Sequence, residues 1–549
     1  MATAFPSNST PVRPSTLGKR KPSVATSSLG MVSTASSVAT DAGVRMLKAG
    51  GNAVDAAVAA ALCLGVSEPQ ASGLGGQTMA LLYLDDGQRA IAVDGSSRAP
   101  FGVDPTKIPK KPITVGLAAS TVPSTPATLG YLLETYGKLS LDQVLEPAIE
   151  AAKDGVRVTH LMHDLIKRES DHLSRDSLAS RRFFRDGRPL AAGSLLIQPE
   201  LARCLETLAR QGWRDFYHGG IASGIISDME KRGGLLCLVD LAQVPVPLER
   251  PVLQGRYRRL HLATFPPPGA GRALVEILNI LETFEPEEIR LDSPDANVIL
   301  AHVFMNALRD RDKRPVDPDI YTQSRRKRMV DKRYAERIAE RIRKVTGILP
   351  PDPTAPPVAG ETTHLSVADA DGNVVGITQS IEFVFGSKRA NPAFGFFYNN
   401  YMATFHYKDM THPYYLLPGA SPWSSVAPTL LFRKRKPWLT LGSPGSERIA
   451  SALAQVITRV VDAGMPLDEA IGAPRLHASQ AGTILIEKKR FHPAILDALE
   501  RVGFELTKRG AYSFYLGCVQ AIQLPLTRRE MFVGVADPRR DGSAKGPET

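Results

Sequence analysis

The chain has 549 residues, with 67 Lys+Arg against 56 Asp+Glu and a formal net charge of +11 at pH 7. Hydrophobic residues make up 43% and charged ones 22%, which excludes collagen-like, coiled-coil and wholly disordered chains. The longest apolar stretch, 53–66, is short and carries Asp55, whereas a membrane-spanning helix needs about 20 apolar residues.

Residues 1–30 are rich in Ser, Thr and Pro and lack the apolar core of a secretory signal. They read as a disordered leader on a cytoplasmic protein, or on a periplasmic or secreted one whose signal has been removed. A strand is expected over 31–34, then a helix from Ser36 that Gly50-Gly51 ends. Asn52 can cap the next helix, 53–64. Ser72-Gly73-Leu74-Gly75-Gly76 is a tight turn, weak evidence by itself for a phosphate cradle, and strands follow over 79–84 and 90–93.

Helical periodicity marks 139–152, 199–211 and 273–284. Basic residues are densest over 309–344, without the aromatic interleaving of a base-stacking surface, so the run reads as a solvated helix face and not as a nucleic-acid site. Five prolines in 349–357 then withhold five backbone donors, which makes a linker or a loop that must move. Beyond it the period changes to two, and Thr363, Leu365 and Val367, then Val374, Gly376 and Thr378, mark two strands of a hairpin turning at 369–373. A second hairpin is expected over 429–432 and 438–441, then the turn Gly442-Ser443-Pro444-Gly445 and a helix over 447–463. Strands with helices outside them indicate an α/β layered fold. The four cysteines have no metal-ligand spacing, and Cys63 and Cys237 sit in apolar runs as expected buried thiols.

The chemical signal is Glu361-Thr362-Thr363-His364, a strand head after the Pro-rich loop. A threonine hydroxyl needs an adjacent base to act as a nucleophile. A cut before Thr362 would expose an α-amino group, of pKa about 7.7–8, able to take the hydroxyl proton. Read alone, Thr-Thr opening a strand is also ordinary β-propensity.

Gly50-Gly51-Asn52-Ala53-Val54-Asp55-Ala56-Ala57 and Glu68-Pro69-Gln70-Ala71-Ser72-Gly73-Leu74-Gly75-Gly76 open an ordered series of motifs. Leu145-Glu146-Pro147-Ala148-Ile149, Pro266-Pro267-Pro268-Gly269, Thr362-Thr363-His364, Asp371-Gly372-Asn373, Asn399-Asn400, Ser424-Ser425, Gly442-Ser443-Pro444-Gly445 and Ala473-Pro474-Arg475 continue it. Together they resemble the γ-glutamyltransferase (glutathione hydrolase) family over nearly the whole chain. The resemblance implies an N-terminal-nucleophile hydrolase with an αββα sandwich, made as a precursor and cut between Glu361 and Thr362. A large subunit, 31–361, and a small catalytic subunit, 362–549, would follow the leader, with no metal or organic cofactor and no nucleic-acid or membrane partner.

By the same resemblance Thr362 is the nucleophile and Ser380 its hydroxyl partner. Gly445 and Ser446 supply oxyanion N–H groups, Ser424 and Ser425 bind the donor carboxylate, and Glu382 holds its amino group. Ordinary readings stand beside these: Ser424 and Ser425 as loop serines, and Glu382 paired with Lys388 or Arg389. Two charged clamps of the family are missing, since Ser96 stands in the arginine slot and Thr404 in the aspartate slot, while Tyr401 replaces a common glutamine. Arg98, two residues from Ser96 and on the same face if the strand continues, is the candidate replacement. The expected activity is cleavage or transfer of the acyl group of a γ-glutamyl (glutathione-like) amide. An amidohydrolase or acylase of the same family acting on a non-γ-glutamyl amide is the alternative, and an uncut scaffold is the third.

Overall fold

The computed structural model describes residues 20–107, 111–243, 247–321, 328–345, 347–350 and 360–548. Two seven-stranded sheets form its centre. The first runs β1 (Ser23–Ser27), β13 (Phe532–Ala536), β12 (Gln520–Gln523), β11 (Lys436–Gly442), β10 (Thr429–Arg433), β7 (Leu260–Thr264), β6 (Leu253–Tyr257). The second runs β14 (Ser543–Lys545), β2 (Gly30–Thr34), β8 (Glu361–Asp369), β9 (Val374–Glu382), β3 (Gln77–Leu84), β4 (Arg89–Gly95), β5 (Leu248–Pro251). Strands from both sides of the 361–362 bond interleave in each sheet, so a cut there leaves the two pieces hydrogen-bonded to each other.

The sheets face one another across Met31, Leu81, Tyr83, Leu430, Ile522 and Phe532. Polar ties join them too: Ser33 Oγ lies 2.9 Å from both Gln520 Oε1 and Val535 O. Outside the second sheet pack α1 (Ser37–Lys48) and α2 (Ala53–Ser67). The Asn52 side chain caps α2 by accepting from Val54 and Asp55 N–H, and Asp55 returns the bond to Asn52 N at 2.7 Å. Its alanine run lets helix and sheet backbones approach closely, and almost every residue of α2 is buried. Outside the first sheet pack α3 (Gly271–Leu281), α4 (Pro294–Lys313), α5 (Lys332–Lys344) and α6 (Arg448–Val461). The result is the αββα order expected from the sequence resemblance.

Several expectations need correction. The leader was expected to be disordered to residue 30, yet Ser23–Ser27 pairs antiparallel with Phe532–Ala536, because its small and β-branched residues complete a sheet edge. Residues 1–19, most of the Pro-rich loop (351–359) and part of the basic run (322–327) lie outside the described residues. Cys237 is exposed, although Cys63 is buried. On α5 the solvated-face reading holds, with Tyr334, Ala335, Ile338, Ala339 and Ile342 buried and Arg333, Arg337 and Arg341 outside. It fails on α4, where Arg311 is 8% exposed. Among the described residues no helix is long and apolar enough to cross a membrane.

Candidate active site

The β8–β9 hairpin sets the centre. Its register runs Glu361↔Glu382 and then Thr363↔Gln379, so Thr362 lies opposite two residues of β9, Ser380 and Ile381, in a bulge of that strand. Thr362 is 6% exposed, and its Oγ1 lies 3.4 Å from Ser380 Oγ, long for a hydroxyl pair. Ser380 Oγ donates to the Glu361 carbonyl oxygen at 2.6 Å and accepts from Glu382 N–H at 2.9 Å. The Thr362 and Ser380 hydroxyls and the carbonyl of the 361–362 peptide therefore meet in one place.

Charged groups hold the strand head rigidly. Glu361 pairs with Arg540, which also binds Glu68 at 3.1 Å, and Glu68 accepts from Thr363 Oγ1 at 2.6 Å. Behind them His364 is buried against Gly442, its ring nitrogens on Thr378 Oγ1 (2.8 Å) and Ser366 Oγ (3.1 Å). Burial pushes its pKa down to about 3, so it is a neutral packing residue. The glycine turn serves close packing: a Cβ on Gly76 would run into Ser380 O, and one on Gly75 into Phe397 O.

Beside this centre runs the turn at Gly445 and Ser446, with φ +123° and +53°. Holding serine in the left-handed region costs about 1–2 kcal/mol. The N–H groups of both residues donate to nothing among the described residues, which suits a pair aimed at a developing oxyanion. Gly360 presses on the same turn: a Cβ there would come within 2.8 Å of Ser446 Cβ and 3.3 Å of Glu382 Oε1. Glu382, at φ +78°, has its pKa pushed up to about 8 by burial, with the Arg311 charge acting the other way. It forms no ion pair with Lys388, which binds Glu169, or with Arg389, which donates to backbone carbonyls.

Arg311 was hidden within the basic run. Its guanidinium donates to Ser425 Oγ at 3.1 Å and to Ser424 O, and it lies 4.6 Å over the Trp423 ring. The two serines are thus an anchored element, and the charge of the cation that anchors them also lowers the Glu382 pKa. The helical spacing of α4, which turns Arg311 inward with Leu308 and Ala307, was the available signal. Tyr401 also belongs to the centre. It is 2% exposed, and its hydroxyl meets the side chains of Ser380 and Gln77.

At the missing arginine the sequence places Ser96 in the slot and offers Arg98 as the replacement. Ser96 Oγ is committed to Asp94 Oδ1 at 2.5 Å, and Asp94 in turn to Arg250 at 2.7 Å. β4 ends at Gly95, so Arg98 does not share a strand face with Ser96; it stands half-buried at an isolated bridge to Val122. Its side chain makes no hydrogen bond or ion pair among the described residues. Thr404 Oγ1 caps its own turn on Tyr401 O at 2.9 Å. No group of three or more His, Cys, Asp or Glu among the described residues is placed to hold a metal ion.

The chain is similar to known proteins along almost its full length. It is 35% identical to the glutathione hydrolase proenzyme of Escherichia coli (strain K12), over 93% of this chain and 90% of that one. To the acylase ACY 1 proenzyme of Pseudomonas sp. (strain V22) it is 34% identical, over 86% of each. The crystal structure of cephalosporin acylase from Bacillus halodurans superposes with a TM-score of 0.87 at 28% identity, covering 99% of this chain and 98% of that one. The gamma-glutamyltranspeptidase family profile matches residues 39–546. With the αββα sandwich and a match of that extent, this chain is an enzyme of the gamma-glutamyltranspeptidase family.

Proposed function

We propose that the chain cuts itself between Glu361 and Thr362, and that the processed enzyme cleaves or transfers the acyl group of a γ-glutamyl amide through a threonyl ester. The observation carrying this reading is the Ser380 hydroxyl on the Glu361 carbonyl, with Thr362 Oγ1 beside it. In the first reaction Thr362 Oγ attacks the Glu361 carbonyl carbon while Ser380 stabilises its oxygen. The C–N bond breaks, the Thr362 nitrogen takes up the proton, and water hydrolyses the resulting ester. Glu361 then ends the large subunit (31–361 by this reading), and Thr362 begins the small one (362–549).

In the second reaction the freed α-amino group accepts the Thr362 hydroxyl proton. Oγ attacks the substrate amide carbonyl, the N–H groups of Gly445 and Ser446 hold the oxyanion, and the proton passes to the departing amine. Such donors supply about 10²–10³ in rate. Water then releases the acid, or an acceptor amine takes the acyl group. Glu382 faces the donor ammonium, and Ser424 and Ser425, anchored by Arg311, face its carboxylate.

A second reading, an acylase for a non-γ-glutamyl amide, is favoured by Ser96 being bound to Asp94 and Thr404 to its own turn. It is also favoured by the relatives named as acylases. The experiment is intact mass of freshly expressed protein beside Thr362→Ala, followed by γ-glutamyl, glutaryl and acetyl 4-nitroanilides. Two fragments, with Thr362 at a new N-terminus, and turnover of the γ-glutamyl amide are expected. Turnover confined to the other amides favours the acylase reading, and an uncut chain identical to the control favours the scaffold.

A further inference from the structure

A cavity of about 340 Å³ adjoins the Gly360–Glu361 peptide, and three of its lining side chains, Arg168, Lys388 and Arg448, are cations. Glu169 serves two of them, Arg168 at 3.0 Å and Lys388 at 3.1 Å. Glu361, the other carboxylate of the lining, is engaged by Arg540. Arg448 differs from its neighbours. It is 2% exposed, its Nη2 donates to Gly360 O at 3.2 Å, and its buried Nε has no hydrogen-bond partner among the described residues. A buried guanidinium with an unpaired N–H is costly unless something fills it. Nε and Nη2 form one edge of the guanidinium, the fork that matches the two oxygens of a carboxylate. A Cβ on Gly445 would lie 3.5 Å from this Nε, so the fork sits against the oxyanion turn.

We propose that this cavity receives the amine side of the substrate amide, and that Arg448 binds a carboxylate carried there. The proposal rests on the cleavage reading above. In the uncut chain the Gly360 carbonyl occupies half of the fork. Cleavage turns Gly360 and Glu361 into a free chain end, and its withdrawal releases Nη2 and removes one of the two carboxylates of the lining. Arg168, Lys388 and Arg448 then face Glu169 alone, and an anionic leaving group or acceptor restores the balance. A neutral amine would leave Nε and Nη2 unpaired.

The test uses processed enzyme and two amides sharing one acyl group, γ-glutamyl or glutaryl, whichever is turned over. One carries 4-nitroaniline and the other 3-carboxy-4-nitroaniline. The carboxylated amide should have at least tenfold higher kcat/KM, Arg448→Gln should bring that ratio near one, and Arg448→Lys should retain part of it. A ratio near one in the wild type overturns the proposal, whether or not a variant folds or is cut, and so does a ratio that Arg448→Gln leaves in place. An uncut wild-type chain overturns the cleavage reading and with it the release of Arg448. A cut chain without the preference overturns the subsite alone.

Discussion

Ser380 Oγ lies 2.6 Å from the carbonyl oxygen of Glu361, the acyl side of the peptide that joins Glu361 to Thr362. One hydroxyl thereby contacts the carbonyl that the proposed self-cleavage would attack and neighbours the hydroxyl that would attack it. A threonine alone at a strand head has no such arrangement. Ser380 reaches it because the bulge at Ser380 and Ile381, opposite Thr362, sets Glu361 opposite Glu382.

Removing that hydroxyl should slow self-cleavage. Ser380→Ala is expected to lower the rate of fragment appearance about 10²–10³-fold, the usual loss for one oxyanion-type donor. Ser380→Thr should restore most of it. Time-resolved intact mass checks both, and an unchanged rate in Ser380→Ala would remove Ser380 from the reaction.

Gly360→Ala should also impair cleavage, through shape. Gly360 has φ +108°, and an added Cβ would stand 2.8 Å from Ser446 Cβ. The peptide must move off the turn, displacing the Glu361 carbonyl from Ser380 by some tenths of an ångström. At least a tenfold slower cut is expected, with secondary structure by circular dichroism unchanged.

Glu382 predicts a pH dependence of stability in the uncut Thr362→Ala chain. Burial raises its folded pKa from 4.5 to about 8, so between those values the folded state holds a proton that the unfolded state has lost. This contribution is fully present below about pH 4.5 and is lost as pH rises toward 8, at a rate of up to about 1.4 kcal/mol for each step of one in pH. Adding Glu382→Gln should therefore raise Tm relative to the parent increasingly from pH 5 to pH 8. Parallel melting curves across that range would contradict the raised pKa of this half-buried carboxyl.

Arg311 is expected to act as a positioning residue for the serine pair. Arg311→Met leaves Ser425 Oγ and Ser424 O without their donor, costing about 1–3 kcal/mol. KM for the acyl donor should rise at least tenfold while kcat changes less, and Arg311→Lys should recover part of the loss. A pure kcat effect would instead place Arg311 with the chemistry.

Much of this was legible in local pattern. The alternation of Thr363, Leu365 and Val367, the turn at 369–373 and the Pro-rich loop before them put Thr362 at the head of a strand. Asn52 marked a helix start that the structure reproduces in atomic detail, with Asp55 returning the bond. Capping, turns and period-two alternation depend on neighbours along the chain, so a sequence displays them directly. The ordered motifs added the family, and with it the layered sandwich.

Tertiary structure decided the rest. Arg311 and the exposed arginines of α5 belong to one basic run, yet the first is buried over Trp423 and the others face outward. Arg448 follows the Gly445–Ser446 turn by only two residues, but its guanidinium is placed against Gly360, 88 positions away. Arg98 was expected on the face of Ser96 if the strand continued, but β4 ends at Gly95 and Asp94 binds Ser96. Charge is a property of a residue, whereas its partner is set by the order of strands in two sheets, and that order is a long-range result of burying both apolar faces at once.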